Sequence, residues 1–454
     1  METRYENRTS WQDYQARFRR KKSLKTLSFR IRRGSLAIGG LLLVSLLVKV
    51  VGQGALPPGG ETVSEKISQA GDPVDVPGIQ KNDIQGWLSP TTVANLEKKT
   101  FELQVDQDHY FVNTSLDLSL QTSLLKRMRS SDAEQMALVA LDPDDGRVLA
   151  MVGIDQDNLS SNPCFDNHFP AASVFKIVTA AAAIEECDFS LDTTLKYNGG
   201  KYTLYKSQLK NTVNRYTNSI SFRDSFAQSV NPVFGKIGAQ HLGHAFLVKY
   251  GEAFGFNGDI DFEVPLPSSV FDITEESYHL AEIACGFNRT TTLTPLHGAL
   301  IAAAVLNDGR LPEPTMIEQI IDENGREIYR GRPAVAGEAM SPRASALLVN
   351  LMTRTVSSGT CRKTFQSASN DRVLSKLVIG GKTGSIDNRE HTRRMDWFVG
   401  FAREKNGSEG IAVAVVVGHG KYIGTRAADF ARHTFRDYFR VYFAANDEKS
   451  NQAG

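Results

Sequence analysis

Residues 169–187 read FPAASVFKIVTAAAAIEEC. From 173 to 187 nearly every side chain is apolar and alanine dominates, a pattern that predicts a helix buried on all sides rather than one with a wet face. Such a helix needs a large core around it. A chain of 454 residues with 41% hydrophobic and 23% charged residues can supply one, as one large domain or two ordinary ones. Two polar residues stand out near its start. Ser173 lies at the N-terminal end, where unpaired backbone N–H groups and the helix dipole favour a developing anion. Lys176, three residues on, lies on the same face one turn away. Burial disfavours an ammonium, and a neutral lysine can take the Ser173 proton.

The flanking sequence places this helix in a sheet protein. Ala137–Leu141 and Val148–Val152 flank the turn-rich run Asp142-Pro-Asp-Asp-Gly146, which predicts a β-hairpin. Further helices are expected at 223–230, 278–285, 295–306 and 341–356, and strands at 376–380, 396–402 and 411–418. An amphipathic helix at 426–443 closes the domain, with Phe430, Phe435 and Phe439 as apolar markers. Strands, then helices, then strands again imply an α+β fold: a central antiparallel sheet whose first and last strands meet, flanked by helices. The domain is expected over 101–445, with 446–454 a disordered tail.

The N-terminal part is of another kind. Residues 1–33 hold eleven Lys or Arg against three acids, Glu2, Glu6 and Asp13, although the whole chain carries a formal net charge of only +1. That balance argues against a protein that holds nucleic acid along its length. The basic run stops against the apolar stretch 34–56, long enough at about 1.5 Å per residue to cross a bilayer. Positive charge before a single apolar span predicts a cytoplasmic tail over 1–33, an N-terminal transmembrane helix acting as signal anchor over 34–56, and export of the remainder. A cleaved signal peptide is the alternative, with small residues at Gly52-Gln53-Gly54. Residues 57–100, rich in Pro, Gly, Asp and Ser at their start, read as a periplasmic linker.

Cys164, Cys187, Cys285 and Cys361 all fall in the exported part. Three disulfide pairings are conceivable and the sequence selects none, so the default is small buried hydrophobes. Neither a CxxC pair nor a histidine cluster points to a metal. No cofactor is expected.

Three short motifs follow in order: Ser173-Val-Phe-Lys176, Ser229-Val-Asn231, and Lys382-Thr383-Gly384 with Ser385 after it. Each alone is near background, since Ser-x-x-Lys also occurs at Ser123–Lys126 and Ser207–Lys210, and Ser-x-Asn at Ser160–Asn162. Context separates them. The copies at Ser123 and Ser207 lie in a charged amphipathic stretch and a polar loop. Asn231 precedes Pro232, which disfavours the helical region and predicts a bend presenting Ser229 and Asn231. Lys382 follows an apolar strand through Gly380-Gly381, and Gly384 again removes a side chain, so an extended peptide can lie close against that strand.

The ordered combination resembles the penicillin-binding protein and serine β-lactamase superfamily, whose signature is S-x-x-K, S-x-N and K-T-G. ALVALDPDDGRVLAMVG before Ser173, TTLTPLHGALIAAAVLNDGRLPEP between the second and third motifs, and DWFVGFA at 396–402 resemble segments of its transpeptidase domains. Two departures are visible: Cys285-Gly-Phe287 stands where Gly-Gln-Gly is more usual, and Ser385 replaces a commoner Thr while keeping the hydroxyl. Residues 1–100 leave no room for the glycosyltransferase domain of the bifunctional members.

The resemblance implies a membrane-anchored serine D,D-transpeptidase acting on the D-Ala-D-Ala ends of peptidoglycan stem peptides, inhibited by β-lactams, working beside a glycan-polymerising glycosyltransferase. Ser173 would be the nucleophile, Lys176 the general base and Ser229 a proton shuttle. Lys382, Thr383 and Ser385 would hold the terminal carboxylate, with Lys382 also holding down the pKa of its cationic neighbours. Asn231 would bind the peptide amide, and Gly384 would let the strand approach. A D,D-carboxypeptidase or β-lactamase, and a non-catalytic penicillin-binding scaffold, are the rival readings. A Ser-His-Asp enzyme is disfavoured, because His168 and His391 have no G-x-S-x-G nucleophile to serve.

Overall fold

The computed structural model describes residues 79–453. In chain order the elements are α1 (Lys81–Gln85), β1 (Thr100–Val105), β2 (Asp108–Thr114), α2 (Leu118–Arg129), β3 (Gln135–Leu141), β4 (Val148–Asp155), α3 (Lys176–Glu186), β5 (Thr194–Tyr197), β6 (Asn218–Ser221), α4 (Phe222–Ala227), α5 (Asn231–Lys236) and α6 (Gly243–Ala253). They continue with α7 (Ser277–Cys285), α8 (Pro295–Leu306), β7 (Arg310–Pro312), β8 (Ile317–Asp322), β9 (Glu327–Arg330), β10 (Val335–Glu338), α9 (Pro342–Ser357), α10 (Arg362–Phe365), β11 (Leu377–Asp387), β12 (Arg394–Glu404), β13 (Gly410–His419) and α11 (Ala427–Ala453).

The central sheet has the order β11-β12-β13-β3-β4, antiparallel throughout. The early hairpin β3–β4 thus joins the late strands, as the order of elements required. Every residue of β13 is buried. Ile411, Val413, Val415 and Val417 face one core, with Leu124 and Met128 of α2 and Phe430, Phe435 and Phe439 of α11. Ala412, Ala414 and Val416 face the other, with the alanines of α3 and α8. Period-two alternation here separates two dry layers rather than core from water, which is why the strand reads as a continuous apolar run. The α8 side carries small residues because the helix lies close: a Cβ on Gly298 would sit 3.0 Å from that of Ala414.

The buried helix is as expected, with Lys176 through Ile184 all buried. It begins three residues late. Ala172–Phe175 form a 3-10 turn, and α3 starts at Lys176. The third-motif strand is longer than expected and carries the whole of Lys382–Ser385 within β11.

Two boundaries need correction. The described part of the expected linker, from residue 79, is folded: Ile84, Leu88 and Val93 are buried in the main core. Its few apolar residues sit among polar ones and give no periodic signal. The expected tail is also helical, because α11 runs on to Ala453. The basic run 1–33, the apolar run 34–56 and residues 57–78 lie outside the described residues. Among those described, no helix is long and apolar enough to cross a membrane.

The outer strand β4 is capped by amide side chains. Gln121 donates to Met151 O at 3.1 Å and accepts from Met151 N at 2.9 Å. Asn95 does the same at Gly153, at 2.7 and 2.9 Å. Both mimic a neighbouring strand and satisfy the edge.

Asp396 of β12 ties the sheet to α11. Its carboxylate accepts from Arg426 Nε at 2.9 Å, from Arg426 Nη2 at 2.6 Å and from Ala427 N at 2.9 Å at the start of that helix. Burial pushes its pKa up, but the neighbouring His419 ring and Arg426 outweigh burial and hold it below the usual carboxylate value. A depressed carboxylate contributes stability above its unfolded pKa, about 4, and loses that contribution as pH falls through the folded value. Asp396→Ala is expected to destabilise the domain by about 2–4 kcal/mol, toward the lower side for a buried pair because Arg426 is half exposed. Urea melts at pH 7 and pH 3.5 check this: the gap between wild type and variant should narrow at the lower pH.

Candidate active site

Three separate elements pin the turn carrying Ser173. Trp397 Nε1 of β12 donates to Pro170 O at 2.9 Å. Ala171 N donates to Thr291 O at 2.9 Å, in the loop after α7. Gly286, in the left-handed region at φ 67°, lies so close that a Cβ there would be 1.8 Å from Ala172 O. A Cβ on Gly384 of β11 would lie 3.1 Å from that of Ala172. Ala172 itself has φ 50°, a conformation a non-glycine residue keeps only when its surroundings hold it. The half-buried Ser173 therefore projects from a strained turn wedged between a sheet strand and a glycine loop.

Lys176 is fully buried. Its Nζ donates to Ser173 Oγ, Asn231 Oδ1 and Cys285 O, each at 2.7 Å. An ammonium has three protons to place, and here each has an acceptor. Burial lowers its pKa to about 8, against a smaller upward pull from the Cys285 thiol. The Phe234 ring lies 5.7 Å from the nitrogen. An amine near that value, touching a serine hydroxyl, exists partly as the free base near neutral pH and can accept the hydroxyl proton.

The second motif bends as expected, at a different residue. Val230, extended at ψ 104°, precedes α5, and Asn231 opens the helix with Pro232 behind it. Ser229 carries the unusual backbone, at φ 55°. Its Oγ accepts from Lys382 Nζ at 2.9 Å. Asn231 uses its oxygen on Lys176, and its Nδ2 donates to Tyr202 O at 3.1 Å, which leaves one amide proton for a guest.

Lys382 is also fully buried and donates to Thr383 O at 2.8 Å. Burial drives its pKa well down, and the charge of Lys176 drives it further. The two buried ammonium groups disfavour each other, which is the mutual lowering the sequence reading expected of Lys382 and its cationic neighbours. Thr383 shares a hydrogen bond with Thr360 Oγ1 at 2.6 Å. Ser385 is exposed, and its Oγ accepts from Arg394 Nε at 2.9 Å.

The fold thus gathers the three motifs: Ser173, Lys176 and Asn231 in one network, Ser229, Lys382 and Thr383 in a second, with Gly384 against the Ser173 turn and Ser385 next in the strand. The other motif copies stay outside. Ser123 Oγ donates to Asp437 at 2.8 Å beside an exposed Lys126, and Ser207 and Lys210 are exposed. The His168 and His391 side chains are each 58% exposed. The four cysteines are free, and among the described residues no group of His, Cys, Asp and Glu could hold a metal. Cys285 O, Thr360 and Arg394 were not found by sequence reasoning; only the unusual Cys285-Gly-Phe287 gave a hint.

The model of the penicillin binding protein transpeptidase domain matches residues 136–436, and the chain belongs to that family. Among curated relatives it is 24% identical over 357 residues to stage V sporulation protein D of Bacillus subtilis, covering 73% of this chain and 54% of that one. It is 23% identical to the peptidoglycan D,D-transpeptidase PbpA of Mycolicibacterium smegmatis, covering 64% of each. The chain therefore spans between half and two thirds of the length of these relatives. Solved structures agree on the fold. The D,D-transpeptidase domain of a peptidoglycan glycosyltransferase from Eggerthella lenta superposes with a TM-score of 0.60 at 24% identity, covering 73% of this chain and 83% of that one. Penicillin-binding protein A from M. tuberculosis, solved as a penicillin G acyl-enzyme complex, gives 0.56 at 23%, covering 72% and 80%.

A neutral Lys176 can take the Ser173 proton, and acylation of Ser173 by a reactive ester that uses it should rise tenfold per pH unit below about pH 8 and level above it. Lys176→Met should lower the rate by about 100- to 10,000-fold and abolish that limb. Intact-mass time courses between pH 6 and 9.5 measure both.

Proposed function

We propose that the chain is a membrane-anchored serine D,D-transpeptidase that crosslinks peptidoglycan stem peptides through a Ser173 acyl-enzyme and is inhibited by β-lactams. The observation that carries this reading is the buried Lys176 amine 2.7 Å from Ser173 Oγ, with Asn231 of the second motif on the same nitrogen. Family membership supports it, as do the D,D-transpeptidase name of the mycobacterial relative and the acyl-enzyme state of a structural neighbour.

In this mechanism neutral Lys176 accepts the Ser173 Oγ proton as the oxygen attacks the carbonyl carbon of the penultimate D-Ala. The tetrahedral oxygen is held by the backbone N–H groups of Ser173 and Ser385, a donor pair in which losing one member typically costs about 100-fold or more. The C–N bond then breaks, and the proton passes to the departing D-Ala nitrogen, with Ser229 as the relay. Lys382, Thr383 and Ser385 hold the terminal carboxylate, and the remaining Asn231 amide proton meets the peptide backbone. An amine of a neighbouring stem attacks the ester, forms the crosslink and frees Ser173.

The N-terminal pattern supports a cytoplasmic tail over 1–33 and an anchor over 34–56 in the cytoplasmic membrane, with the catalytic domain on the periplasmic face. A glycosyltransferase supplying the glycan strand is the companion this reading requires.

The test is time-resolved intact mass of the full chain with a fluorescent penicillin, beside Ser173→Ala. A one-to-one adduct that decays slowly and is absent from the alanine variant is expected. Rapid turnover would indicate a hydrolase instead, and no adduct on folded protein would leave only a scaffold.

A further inference from the structure

One buried cation of the domain has no charge to balance it. Lys236, the last residue of α5, is 9% exposed, and its Nζ donates to Lys196 O at 3.2 Å. That carbonyl is its one hydrogen-bond partner among the described residues, and no carboxylate pairs with it. Burial alone lowers its pKa, with no acidic neighbour to raise it. Lys176 is the contrast, since each of its three protons has an acceptor. An ammonium that keeps two protons unplaced away from water is costly, and a counter-ion removes that cost. The Lys236 side chain lines a cavity of about 470 Å³ formed by β5, residues 211–213, the end of α5 and the segment after it. None of the lining residues is acidic, while Lys196, Asn211, Thr212 and His241 add further donors. The segment Ile237–Leu242 is a π-helical turn, a local widening that frequently marks functional sites. The loop wall is held in place, because Asn198 Nδ2 donates to Thr212 O at 2.8 Å.

We infer that this cavity binds a phosphate dianion, free or carried on a small ester, with Lys236 and Lys196 as its counter-charges. Two negative charges match two ammonium groups, and the phosphate oxygens can take both spare Lys236 protons while Asn211 and Thr212 offer neutral donors. A chloride ion or a single carboxylate leaves one lysine without a counter-charge. The volume lies in the range of small-molecule sites, and Val233 and Ile237 give it an apolar side on which the carbon part of an ester can rest. The cavity is separate from the Ser173 chemistry. α5 runs from Asn231, which accepts from the Lys176 amine, to Lys236 five residues on, about 8 Å along its axis. The inference therefore goes beyond the transpeptidase reading and does not rest on it.

The test is titration calorimetry and thermal melting of the full chain in detergent and phosphate-free buffer. The probes are inorganic phosphate and glycerol 3-phosphate, with sodium chloride at matched ionic strength as control. One phosphate per chain is expected, and the melting temperature should rise by about 3 °C at a hundredfold excess over the dissociation constant. Tighter binding of glycerol 3-phosphate assigns the cavity to an ester, and equal or weaker binding assigns it to the free ion. Lys236→Met should weaken binding by about tenfold or more, and it is expected to fold because an uncharged side chain of similar length replaces an unbalanced charge. Lys196→Ala changes an exposed side chain and should weaken binding by about three- to tenfold. No saturable binding of either probe, the same melting gain from chloride, or an affinity that both variants keep overturns the inference.

Discussion

A lysine nitrogen sealed from water at the heart of the domain must find an acceptor for every proton it keeps, and the site is arranged around that requirement. The three acceptors of Lys176 come from the 3-10 turn before α3, the start of α5 and the end of α7. These segments are remote in sequence, so the amine is satisfied only once the helical layer has closed around it. The same burial that makes the acceptors obligatory draws the pKa to about 8. Packing and proton affinity therefore have one cause: the helix is buried on all sides because of its alanines, and a lysine on it holds its proton less tightly.

A second buried lysine extends the constraint. Lys382 arrives on a sheet strand rather than a helix and meets Ser229 and a backbone carbonyl. Its pKa lies well below the ordinary lysine value, through burial first and Lys176 second. Two ammonium groups this close in a dry site disfavour each other, so the pair favours a state with fewer than two protons. The bent backbone at Ser229 and the left-handed Ala172 are held by the same packing, with Gly286 and Gly384 admitting backbone where a side chain would collide.

The α+β class, the pairing of the β3–β4 hairpin with the late strands, and the helices 278–285 and 295–306 were legible because each carries a local period or a run of one residue class. The motif residues were legible through order and context. Cys285 O was not, because a backbone carbonyl has no sequence signature. Thr360 and Arg394 act through partners on other elements, and a single sequence does not reveal such pairings. Ile84, Leu88 and Val93 went unread because three apolar residues in a polar string look like a spacer until a core is present to receive them. The last turns of α11 were missed because their polar composition is also that of a loose end.

The two borders of the central sheet differ. Asn95 and Gln121 present their amides to β4 as a neighbouring strand would, whereas β11 is paired on one side only and lies against the Ser173 turn through Gly384. Edge-to-edge polymerisation of a sheet protein needs a donor rim and a receiving rim on each molecule. With one rim plugged by its own side chains, a second copy has nothing to dock in series, and the protein can keep its other strand edge open without seeding fibres.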